Sequence, residues 1–98
     1  MIHNNLISIT QFCSYYNVPT TFIEALKEYD LIEIIIEDSD HYIHTTKIND
    51  IEKMMRLHYD LDINLEGIDV IHNLLKEVES LKEEIKTLHN KLRLYDDY

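Results

Sequence analysis

Six histidines and one cysteine are the side chains of this sequence best suited to ligate a metal or act as a nucleophile. His41 and His44 stand three apart in a β-rich run, which points them to opposite faces of a strand. His58 and His72 fall in separate helical stretches, and Cys13 has no Cys-x-x-Cys companion. No spacing here resembles a structural zinc site. A sensor thiol needs positive charge nearby to lower its pKa, yet Cys13 sits beside Phe12 and Tyr16 with no base near it in sequence. It is expected to be a small buried apolar residue. There is no Gly-rich phosphate loop and no strained nucleophile turn. The expectation is a protein that is not an enzyme, with no catalytic residue, metal or cofactor.

Charge is the more informative chemistry. The chain carries 9 basic and 19 acidic residues, a net charge of −10 over 98 residues. Nucleic-acid binders gain affinity by neutralising phosphates with Lys and Arg, so this balance argues against nucleic acid and for a basic partner. The imbalance is concentrated in residues 20–40, where Lys27 faces Glu24, Glu28, Asp30, Glu33, Glu37, Asp38 and Asp40, a local sum of −6. Such a stretch is either an ordinary solvated face or a surface that docks a basic protein. The longest apolar run is Ile34-Ile35-Ile36, too short to span a bilayer. The N-terminus lacks the basic-then-apolar form of a secretory signal, and a lone cysteine fits a reducing compartment. A cytoplasmic location is expected.

The elements that position these charges must be read from periodicity, because one Gly and one Pro give little punctuation. Ser8-Ile9-Thr10-Gln11 has the form of a capping box opening a short helix through Phe12, Cys13, Tyr15 and Tyr16. Val18-Pro19 makes a turn, since proline suits a helix start and disfavours helical geometry before it. A second helix follows over residues 20–30, with Phe22, Ile23 and Leu26 inward. Glu33-Ile34-Ile35-Ile36-Glu37 and His41-Tyr42-Ile43-His44, around Asp38-Ser39-Asp40, read as a hairpin. Thr45 or Thr46 can cap a third helix with Ile48, Ile51, Met54, Met55 and Leu61 at helical spacing. Asn64 suits the cap of a fourth, stapled by Ile63 and Ile68. Gly67, in its first turn, costs about 1 kcal/mol relative to Ala; either another backbone approaches it closely or it is simply tolerated.

From Ile71 onward the pattern becomes strict. Ile71, Leu74, Val78, Leu81, Ile85, Leu88, Leu92 and Tyr95 are spaced 3, 4, 3, 4, 3, 4, 3. β-Branched residues at most a positions and Leu at most d positions favour a two-stranded coiled coil. A helix over residues 65–95 is about 46 Å long at 1.5 Å per residue, too long a stripe for so small a head to cover. A homodimer follows, with the seam from Ile71 to Leu92 as its interface. Glu77 can meet Lys82 in a parallel pair or Lys91 in an antiparallel one, so orientation stays open. The expected fold is mostly α with a small β-hairpin. Residues 1–62 form a winged helix–turn–helix head, and residues 63–98 a helix leading into the dimerisation coiled coil.

That plan is similar to MerR-type regulators, whose second helix enters the major groove while the wing touches the backbone. Base readout uses Arg, Lys, Asn or Gln, and residues 20–40 offer only Lys27. A closer resemblance lies in three motifs. Ser8-Ile9-Thr10-Gln11-Phe12-Cys13, then Arg56-Leu57-His58-Tyr59-Asp60-Leu61, then Asn64-Leu65-Glu66-Gly67-Ile68 ahead of a coiled coil resemble the CbpM family of chaperone modulators. The likeness runs from about Leu6 to Leu94. It implies a cytoplasmic dimer with a MerR-like head that binds the J-domain of a DnaJ-like, CbpA-type co-chaperone and limits its stimulation of DnaK. On that expectation Glu24, Glu28, Tyr29 and Asp30 form part of the docking surface, since aromatic groups amid charge suit an interface. The rival reading is a MerR-like DNA-binding transcriptional regulator of heat-shock type, which requires bases on the second helix and wing that this sequence lacks.

Overall fold

The computed structural model describes residues 5–96 and extends 60 × 35 × 20 Å, a small head on a helical rod. The first helix, α1 (Ile9–Tyr16), begins where Ser8, in extended geometry, accepts the Gln11 amide on its hydroxyl at 3.1 Å. It ends at Asn17, whose left-handed backbone (φ 56°) turns the chain into Val18-Pro19. α2 (Thr20–Glu28) starts from that proline and buries Phe22, Ile23 and Leu26. Its end is a Schellman motif: the Leu31 amide reaches back to the Leu26 carbonyl and the Asp30 amide to the Lys27 carbonyl, both at 2.9 Å. Asp30 holds the left-handed position (φ 57°) that glycine usually fills, and Leu31 is buried after it.

Three short strands form an antiparallel sheet in the order β1–β3–β2: β1 (Leu6–Ser8), β2 (Ile35–Glu37) and β3 (Asp40–His44). The expected hairpin is β2–β3, with Glu37 opposite Asp40 across the two-residue turn Asp38-Ser39. Both turn residues have positive φ, 50° and 69°, the type I′ geometry whose twist matches the flanking strands. The strand β1 adds to what the sequence shows; Ile7 lies opposite Ile43, which is completely buried in the central strand.

The threonines that were candidate caps lie instead in a 3₁₀ turn (Thr45–Lys47), and α3 (Ile48–Met55) starts without a side-chain cap. α3 buries Ile51 and Met54 and then widens into a π turn (Arg56–Asp60). Leu61 would share a face with Met54 in an unbroken α-helix, two turns on. The wider turn ends that register, so Leu61 is exposed rather than inward. The Asn64 side chain accepts the Gly67 amide at 2.8 Å and opens α4 (Leu65–Asp96). A Cβ on Gly67 would come within 2.7 Å of the Ile63 side-chain methyl and 3.1 Å of the Asn64 side-chain oxygen. The close approach at this glycine is therefore the helix's own cap and staple, not another backbone.

Phe12, Ile23, Leu26, Ile43, Ile51 and Ile68 are the large side chains sealed completely from solvent. They join α1, α2, β3, α3 and the first turn of α4 into one core, so the head's interior takes in a residue of the rod. At about 1.5–3 kcal/mol for each such side chain, this core leaves little margin once chain entropy is set against it.

Candidate functional site

The solvent face of α2 lies opposite Phe22, Ile23 and Leu26, and it presents Glu24 and Glu28 one turn apart, both exposed. Lys27 is the one base on this helix. Between α2 and the hairpin runs a groove of about 500 Å³ lined by Thr20, Glu24, Lys27, Ile34, Asp40 and His41. The hairpin carries its own negative field. Partial burial, then the charges of Asp40, Glu37 and Asp38, push the Tyr42 hydroxyl above the usual tyrosine value. Helix and wing together thus offer an acidic surface where a DNA reader presents bases to phosphate.

Tyr29 and Asp30 share that end of α2 but have local structural work. The Tyr29 hydroxyl donates to a Glu66 carboxylate oxygen at 2.6 Å, tying the end of α2 to the first turn of α4. This bond raises the Tyr29 pKa above its ordinary value, with partial burial and the Glu66 charge adding to it. The same bond, with a backbone amide, holds the Glu66 carboxyl below the usual carboxylate range. Asp30 is exposed but sits at the left-handed position of the Schellman turn.

The rod offers a different surface. Leu74, Val78, Leu81, Ile85, Leu88, Leu92 and Tyr95 are between 42% and 77% exposed in the single chain, and Ile71 is half-buried. Where the rod leaves the head, Met54, Leu57, Ile68, Ile71 and Leu75 form the apolar part of a groove of about 350 Å³ between α3 and α4, whose rim also carries Asp50, Lys53, Lys76 and Glu79. It runs directly into the seam at Ile71.

An aromatic cluster was not apparent from spacing. Phe22 of α2 stacks on His58 at 5.2 Å between centroids and lies 5.3 Å from Tyr59, while Tyr16 packs on Phe12 at 4.5 Å. The available signal was the adjacent pairs Tyr15-Tyr16 and His58-Tyr59, each at the end of a predicted helix. The His58 ring bonds the Ile63 carbonyl through Nδ1 at 2.9 Å, which engages it in holding the turn before α4. His72 is half-buried, and desolvation followed by the Lys76 charge lowers its pKa, with Asp50 and Asp69 opposing. Cys13 is buried and its thiol is pushed up by that burial, away from the thiolate form that reacts. Among the described residues no three His, Cys, Asp or Glu side chains gather to hold a metal ion. No helix there is long and apolar enough to cross a membrane.

Residues 7–90 match the family model described as MerR HTH family regulatory protein. No curated protein and no solved structure matches the chain.

Proposed function

This chain belongs to the MerR helix–turn–helix family of regulatory proteins, and we propose that it regulates by docking a protein rather than a promoter. Its target is the J-domain of a DnaJ-like, CbpA-type co-chaperone, and occupation of that domain limits stimulation of DnaK. The observation that carries this reading is the solvent face of α2. In a DNA-reading member that face supplies base contacts; here it presents Glu24 and Glu28, beside a hairpin bearing Asp38 and Asp40. Phosphate would be repelled from such a surface, while a basic protein helix would be steered to it. The likeness of the Ser8–Cys13, Arg56–Leu61 and Asn64–Ile68 motifs to chaperone modulators supports the choice of partner.

A second copy of the chain belongs to the same reading. Seven large apolar side chains at heptad spacing stand open to solvent along α4, and a head with a small core gains from sharing a longer one. Pairing through Ile71, Leu74, Val78, Leu81, Ile85, Leu88 and Leu92 covers six of them and presents two acidic heads.

The test is calorimetric titration of a J-domain with the full chain. Reversing Glu24 and Glu28 to Lys is expected to weaken binding at least about tenfold, as for complementary charges across an interface. Asp30→Gly removes a charge while suiting the turn, and is expected to weaken binding without loss of thermal stability. Undiminished affinity in both variants would remove α2 from the interface. The family match favours one other reading, a DNA-binding transcriptional regulator of heat-shock type; a shifted promoter band at physiological salt with no J-domain binding would establish it.

A further inference from the structure

A second groove, of about 390 Å³, lies between the end of α1 and the π turn, and none of its lining residues comes from α2. Two tyrosine rings line it, Tyr16 and Tyr59, the latter 49% exposed. Val18 and Met55 supply apolar wall, and Glu52 and Asp60 supply carboxylates, with Arg56 also at the lining. Both rings are held in place: Tyr16 packs on Phe12, and Tyr59 lies against Phe22 and edge-on to His58 at 4.8 Å. Partial burial first, and then the charge of the nearby Glu52 carboxylate, push the Tyr16 hydroxyl above its ordinary value, as expected for a carboxylate beside the ring.

Apolar wall, aromatic faces and carboxylates in one groove match the parts of a long basic side chain. Its methylene stem buries against apolar surface while the charged head stays polar. The head is attracted to ring faces within about 6 Å of their centroids, and a carboxylate adds a charge-assisted hydrogen bond. Arg56 leaves the lining with two carboxylates against one cation, and a chain of net charge −10 adds a long-range pull in the same direction.

We propose that this groove receives one lysine or arginine side chain of a basic protein partner, with its stem along Val18 and Met55 and its charge between the Tyr16 and Tyr59 rings and the Glu52 and Asp60 carboxylates. The proposal rests on the basic partner argued above and gives that partner a second point of attachment, away from α2. A single charged side chain anchored this way orients a complex that the diffuse field of α2 only steers.

The probe is N-acetyl-arginine amide, with N-acetyl-citrulline amide as its neutral counterpart, titrated into the isotopically labelled full chain and followed by backbone amide shifts. Saturating shifts are expected at residues 16–18 and 55–60 with the arginine compound and not with citrulline. Glu52→Gln and Tyr59→Leu should each weaken this binding about three- to tenfold, the usual worth of one such contact. Tyr59→Phe, which keeps the ring, should leave it intact. Equal shifts over every acidic surface, equal shifts with citrulline, or no shift at all would overturn the proposal. A J-domain titration separates the two readings. If the J-domain binds and Glu52→Gln and Tyr59→Leu leave its affinity unchanged, the groove is not the anchor, while the α2 reading stands. If no J-domain binds but the arginine compound still saturates the groove, the partner assignment fails and the groove remains.

Discussion

At the scale of single residues, the acidic end of α2 holds side chains in two different settings. Glu24 and Glu28 stand exposed on its solvent face, whereas Tyr29 braces α2 against the rod through Glu66. That brace ties stability to pH from both sides. Glu66 is held below its ordinary value of 4.5, so its contribution is full above that value and is lost as pH falls through the lowered one. Tyr29 is raised above 10.0, so its contribution is full below that value and is lost as pH rises through the raised one. Tyr29→Phe is expected to lower the melting temperature at neutral pH and to flatten its fall toward pH 4. Melting curves from pH 3 to 8 check this, and parallel curves for the two proteins would show that the bond contributes nothing.

At the scale of elements, the junction of head and rod is the tightest piece of local design. The Asn64 cap, the Ile63–Ile68 staple and Gly67 occupy one turn, and the glycine leaves room for the Ile63 methyl. Ala at this position gains about 1 kcal/mol of helix propensity but must displace a β-branched side chain packed on the core, an overpacking that costs about 1–3 kcal/mol. Gly67→Ala is therefore expected to destabilise by about 1 kcal/mol net, measured by denaturant unfolding; a stabilised variant would mean that Ile63 moves aside freely. The cap and staple were legible beforehand because they depend on residues within five positions of each other. The π turn was not, since it depends on how Tyr59 and His58 settle against Phe22 of another helix.

On the scale of the whole molecule, an elongated rod with a bare apolar stripe carries the question of assembly. Ile85 lies far from the head and is exposed, so changing it tests pairing without touching the core. Ile85→Asp is expected to sediment as a single chain where the parent sediments as a pair. Its melting temperature should also lose the concentration dependence that pairing confers. A parent protein that is monomeric at micromolar concentration would remove the second copy.

Neighbouring side chains and their period suffice to write the helices, the hairpin, the acidic second helix and the heptad seam. The folded chain adds that β1 completes the sheet, that Tyr29 meets Glu66, that Leu61 stays outside, and that Tyr16 and Tyr59 share a groove with Glu52. Those facts rest on contacts between residues tens of positions apart, and no local pattern encodes which of several exposed tyrosines will find a partner once the core has closed.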